Sequence, residues 1–94
     1  MPPLSADEIY ALLQQVEGWQ LYDKQISKTY VFKNYYHTMA FVNALAWVSH
    51  QEGHHPDMVV SYNRCVVNYT THAIGGLSEN DFICAAKIDK LFTV

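Results

Sequence analysis

The chain has 94 residues, half of them hydrophobic and 14% aromatic, with a net charge of -3 and a pI near 5.9. That is enough for one compact domain spanning residues 1–94, and too little for two. Six Lys and Arg residues, spread along the chain as at Lys24, Lys28, Lys33 and Arg64, lay down no phosphate-binding track, so nucleic acid is excluded as a direct ligand.

The opening Met1-Pro2-Pro3-Leu4 has no basic region leading into an apolar stretch, so no secretory leader is expected. No apolar run is long enough to span a bilayer. Cys65 and Cys84 form no CxxC pair, which argues against a zinc ribbon or a thioredoxin-type motif and for reduced thiols in a cytoplasmic protein.

Ser5-Ala6-Asp7-Glu8 reads as a capping box, in which the serine hydroxyl and the glutamate each satisfy an orphan amide. Ile9, Leu12, Leu13 and Val16 follow at helical spacing, and Gly18 is a natural stop. Trp19–Tyr22 alternates apolar and polar residues, and Ser27–Lys33 is rich in aromatic and β-branched residues. These two runs form a strand pair. Asn34–Glu52 is the longest element, a helix with Phe41, Leu45 and Val48 on one face and Gly53 at its end. Met58–Tyr62 and Cys65–His72 form a second strand pair around Asn63-Arg64. Ser78 with Asp81 repeats the start signal for a last helix that buries Ala85, Ile88 and Phe92.

The order α-β-β-α-β-β-α defines an α+β fold, a four-stranded antiparallel sheet with three helices packed on one face. The opposite face stays open unless another subunit covers it. A domain this small buries a modest share of its surface, so self-association is expected.

Four of the five histidines fall between residues 50 and 72: His50, His54, His55 and His72. Imidazole is the side chain whose unperturbed pKa suits proton exchange near neutrality. Pro56 forces His55 into an extended conformation, so His54 and His55 point in different directions and suit different tasks around one ligand. In the fourth strand, alternation puts Cys65, Val67, Tyr69 and Thr71 on the core side and Val66, Asn68, Thr70 and His72 on the polar side. Antiparallel pairing then lays the end of this strand beside the start of the third, which follows His54-His55-Pro56. His72 is thereby brought to the double histidine. Asp81 caps the last helix and has a second candidate role, orienting a nearby imidazole. His50 and His54 are four apart, a metal-ligand spacing, but the Gly53 break takes His54 out of the helix. No metal site is expected. His37 reads as ordinary surface.

The segment His50-Gln51-Glu52-Gly53-His54-His55-Pro56, followed by Tyr62, Thr71-His72, Gly75-Gly76-Leu77-Ser78 and Asp81, resembles the signature of the pterin-4a-carbinolamine dehydratases. The flanks Gly18-Trp19, Phe32-Lys33 and the Phe41 helix also fit, so the resemblance covers nearly the whole chain. Many members carry glutamate where this chain has His50, and an imidazole is no carboxylate as a charge partner.

The resemblance implies a 4a-hydroxytetrahydrobiopterin dehydratase, a carbon–oxygen hydro-lyase. It would convert 4a-hydroxytetrahydropterin to quinonoid dihydropterin plus water in tetrahydropterin recycling. It implies His54 and His72 as the acid/base pair and His55 as the group that positions the substrate or holds its hydroxyl, completing the catalytic set. His50, Pro56, Tyr62 and Asp81 are implied as substrate-binding or supporting residues. It further implies no metal or organic cofactor, a homodimer or homotetramer, and a functional link to an aromatic amino-acid hydroxylase that supplies the substrate. Two other readings compete: a dimerisation cofactor for a homeodomain transcription factor, which would use a helical surface, and a metal-dependent hydrolase or metal-binding protein built on the histidine cluster.

Overall fold

The computed structural model describes residues 2–92. Helix α1 spans Ala6–Leu13, strand β1 Gln20–Tyr22, β2 Gln25–Val31, helix α2 Tyr35–Glu52, β3 Asp57–Ser61, β4 Arg64–Tyr69 and helix α3 Glu79–Asp89. This is the expected α+β order, and the four strands form one antiparallel sheet in the order β1-β2-β4-β3.

Alternation assigns the two sheet faces. Ile26 and Tyr30 of β2 align with Tyr69 and Cys65 of β4, and these, with Val67, are buried. The helices cover that side with Phe41 and Leu45 from α2 and Phe82, Ala85 and Ile88 from α3. Helix α1 contributes Ile9, Leu12 and Leu13, which are only partly buried. Ser27, Thr29 and Val31, with their partners Asn68, Val66 and Arg64, line the face that no helix covers. The aromatic residues of the core make one cluster: Tyr30 lies 4.6 Å from Phe41 and 5.2 Å from Phe92 between ring centroids.

The ends of the elements carry the chemistry of caps. The Ser5–Glu8 box closes the start of α1, with amide-to-side-chain distances of 2.8 and 3.2 Å. Asn34 caps α2 by accepting the His37 amide at 3.0 Å. The end of α2 is a Schellman turn: Gly53 has φ +64°, its amide donates to the His50 carbonyl at 3.4 Å, and the His54 amide donates to the Ser49 carbonyl at 3.1 Å. An αL residue here favours glycine because any Cβ is strained in that conformation.

Some boundaries differ from the sequence expectation. Helix α1 ends at Leu13 rather than running to Gly18. Strand β4 ends at Tyr69, and His72 opens a short 3-10 turn, His72–Ile74. The cause is a bridge between Thr71 and Gly76, whose backbones exchange hydrogen bonds of 3.0 and 3.4 Å. That bridge closes a tight loop on His72 and leaves no partner strand for the chain to follow. The β3–β4 hairpin turns at Tyr62-Asn63, one residue earlier than expected.

Candidate active site

The centre of the site is one carboxylate. Asp81 is fully buried in the first turn of α3, where the helix dipole favours an anion. Its Oδ2 accepts the Ser78 amide at 2.9 Å and the Thr71 hydroxyl at 2.8 Å. Its other oxygen, Oδ1, contacts His54 Nε2 at 2.6 Å. A buried carboxylate needs such donors, since an unpaired one is costly to bury. Here three converge, from the N-cap of α3, from the second residue after β4 and from the loop after α2.

His54 is held on three sides. Its amide closes the Schellman turn, and its Nε2 meets Asp81. Its ring stacks on Tyr69, with centroids 5.5 Å apart and planes at 26°. The hydrogen bond made by one ring nitrogen decides the role left to the other. With Nε2 on Asp81, Nδ1 is the atom free to meet a ligand. The imidazole is 16% exposed, enough to be reached from outside.

Two polar atoms lie in the core on the Tyr69 side of this ring. Tyr69 OH and Ser49 Oγ are buried and, among the described residues, have no hydrogen-bond partner. Burial first, and then neighbouring Cys84, hold the Tyr69 phenol well above the usual tyrosine range. Tyr69 is therefore a neutral wall.

His72 follows Thr71 directly, so the same Asp81 oxygen that takes the Thr71 hydroxyl anchors the backbone that carries His72. His72 is exposed. Its loop is set by the Thr71–Gly76 bridge and by the Gly75 amide, which donates to the His72 carbonyl at 3.1 Å. His72 also lines a cavity of about 450 Å³ whose far wall is the β1–β2 turn. His55 is exposed, with Nδ1 3.4 Å from the Pro56 carbonyl oxygen, and Pro56 itself is buried.

Two expected site residues lie elsewhere. Tyr62 is 64% exposed at the tip of the β3–β4 hairpin, about 17 Å of strand away from His54 at the usual ~3.4 Å rise per residue. There its carbonyl accepts the Thr38 hydroxyl at 2.9 Å. His50 lies on the exposed side of α2 against the Trp47 ring, with centroids 5.3 Å apart. Thr71 and Tyr69 were missed as site residues in the sequence. Strand alternation had put both on the inward side, which was the available signal. Among the described residues, no group of three or more His, Cys, Asp and Glu side chains is arranged to hold a metal ion.

The fold and this buried hub define a small α+β protein with a histidine–aspartate pair at one end of its sheet. The chain belongs to the pterin 4 alpha carbinolamine dehydratase family, whose profile matches residues 2–91. A relative from Nitrosospira multiformis, provisionally assigned as a pterin-4-alpha-carbinolamine dehydratase, is 67% identical over 94 residues, covering 100% of this chain and 83% of the relative. A relative from Nitrosomonas eutropha with the same assignment is 72% identical over 92 residues, covering 97% and 81%. A transcriptional coactivator/pterin dehydratase from Brucella melitensis superposes with a TM-score of 0.93 at 28% identity, covering 97% of this chain and 99% of that one. A pterin dehydratase-like RuBisCO assembly factor of the alpha-carboxysome superposes with a TM-score of 0.64 at 27% identity, covering 78% and 84%. Membership of this family supports dehydratase chemistry on a pterin.

Proposed function

We propose that the protein dehydrates a 4a-hydroxytetrahydropterin to the quinonoid dihydropterin by general acid/base catalysis. The C4a–O bond breaks while the departing oxygen receives a proton and leaves as water. The neighbouring ring N–H gives up its proton, and the electron pair released forms the C4a=N bond. Hydroxide is a poor leaving group, so both proton transfers need a positioned partner, each worth about a hundredfold to ten-thousandfold. His54, through Nδ1, and His72 are that pair. His55 positions the substrate or holds its hydroxyl.

The observation that carries this reading is the single Asp81 carboxylate, bonded through one oxygen to His54 and through the other to the residue preceding His72. It ties two imidazole-bearing segments to one buried carboxylate.

Association into a homodimer or homotetramer completes the proposal. It is supported by exposed aromatic residues on α2, Tyr36 at 79% and Trp47 at 61%, and by Val59 at 64% on edge strand β3. The same exposed face of α2 supports a second role, binding a protein partner, in line with the coactivator and assembly-factor descriptions of the two structural relatives. That role would leave the histidines untouched. The setting we propose is cytoplasmic, with an aromatic amino-acid hydroxylase supplying the carbinolamine for recycling.

The test is dehydration in a coupled assay with a hydroxylase generating the substrate. The wild-type protein should accelerate loss of the carbinolamine, with a rate unchanged by a chelator. The His54→Ala/His72→Ala double variant should lose most of that rate while keeping its circular dichroism and assembly state. A folded double variant with full activity overturns the acid/base assignment, and inhibition by chelator favours a metal-dependent reaction.

A further inference from the structure

We propose that Tyr69 is a positioning residue for the reaction: its ring sets the plane of the His54 imidazole, so that Nδ1 meets the ligand while Nε2 stays on Asp81. The inference rests on the dehydratase reading of the site. A hydrogen bond at one ring atom fixes where an imidazole sits but leaves it free to rock about that atom, and the histidine χ2 torsion has only broad preferences of its own. A flat neighbour removes that freedom. Tyr69 lies 5.5 Å from His54 between ring centroids, with the planes at 26°. The Asp81 contact at 2.6 Å sets the position of the ring, and the stack sets its tilt.

The fold delivers the tyrosine ring and holds it. Tyr69 ends β4 with its backbone paired to Ile26 of β2, and the β3–β4 register runs out at Asp57 and Asn68. The segment before Asp57, with His54 on it, is thereby laid beside Tyr69. The Tyr69 side chain is fully buried and also packs against Trp19, at 6.0 Å between centroids. The Trp19 indole N–H in turn donates to Asp89 at 3.1 Å. Trp19, Tyr69 and His54 thus form a file of rings with Asp89 at one end and Asp81 at the other. Both aspartates belong to α3, so one helix anchors the file at its two ends.

The ring carries this role, and the hydroxyl does not. Tyr69 OH is buried with no hydrogen-bond partner among the described residues. Burial keeps the phenol protonated at neutral pH, so it takes no part in proton transfer. Phenylalanine would offer the same flat face without the unpaired hydroxyl. Leucine would fill the site with apolar atoms but present no plane.

Steady-state kinetics and NMR on the folded variants test this. Tyr69→Leu should lower kcat roughly ten- to a hundredfold, the cost of a misplaced reacting group, with KM little changed. Tyr69→Phe should restore the rate that Tyr69→Leu loses, with a Tm no lower than the wild type's. The His54 ring protons should carry the ring-current shift of a stacked aromatic in the wild type and in Tyr69→Phe, and lose it in Tyr69→Leu. If Tyr69→Leu does not fold, Tyr69→Met takes its place, being flexible, apolar and equally without a plane. A folded Tyr69→Leu or Tyr69→Met protein with wild-type kcat overturns the proposal. So does a Tyr69→Phe protein as impaired as Tyr69→Leu, which would move the role to the hydroxyl. A His54 spectrum indifferent to loss of the ring overturns the stack itself, whatever the kinetics. A wild type with no turnover overturns the dehydratase reading and the positioning role together, and its His54 spectrum still reports whether the rings meet.

Discussion

Asp81 does two jobs with two oxygens. One caps α3 and takes the Thr71 hydroxyl, and the other meets His54. Asp81→Asn keeps the shape but puts an amide donor where one donor, at Oδ1, or two, at Oδ2, already point. Leaving such buried groups mismatched costs about 1–3 kcal/mol. The expected outcome is a folded protein with a lower Tm and a kcat reduced about a hundredfold or more, as when one acid/base partner loses its orientation. The capping half of this role was legible in the Ser78–Asp81 spacing. The hub was not, because it needs Thr71 and His54, far apart in sequence, to converge on the same carboxylate. The buried thiols offer a second measurement at this scale. Cys65 and Cys84 are fully buried, and burial pushes both above the ordinary thiol value of 9.0. The fold thus favours the neutral thiol. That contribution to stability is complete below pH 9.0 and is lost as pH rises through the raised folded values. Urea midpoints should therefore fall on the alkaline side, and alkylation at pH 8 should be slow in the folded protein and fast in urea.

The elements place these residues through their ends. The Schellman turn of α2 both stops the helix and aims His54, because the His54 amide closes it. Gly53→Ala has open space for its methyl but must hold φ +64°, at about 1–2 kcal/mol. Urea denaturation should record that loss, and kcat should fall beyond what the unfolded fraction explains, since the turn directs the imidazole. Gly53 as a helix stop, with Pro56 after it, was visible in the sequence, as was the inward face of β4. The end of β4 was not. Thr70 to His72 continues the strand alternation, and only the Thr71–Gly76 bridge, a pairing between residues on either side of a turn, ends it. Tyr62 misled for a related reason. Its place in a linear signature says nothing of which end of a hairpin it occupies, and here it is the far end.

For the whole molecule, the α-β-β-α-β-β-α order and the one-sided helix layer followed from periodicity, caps and two hairpins. The strand order β1-β2-β4-β3 adds the antiparallel pairing of β2 with β4, six residues long and central to the core. What surrounds the molecule is not written in that pairing. The open sheet face and the exposed Tyr36 and Trp47 leave apolar area in water, which a second copy would cover. Sedimentation should therefore find a dimer or tetramer, and Tm should rise with protein concentration as mass action requires. A monomer with a concentration-independent Tm would overturn the association.

At the opposite end of α3 from Asp81, Asp89 accepts from the Trp19 indole at 3.1 Å, from Lys28 at 2.9 Å and from the Tyr30 hydroxyl. One helix is thus riveted at both tips by an aspartate, one rivet serving the reactive end and the other the core. Loosening either tip lets the whole rod tilt. Heat should accordingly extinguish turnover and native packing in one step, with no warm, intact but idle form in between.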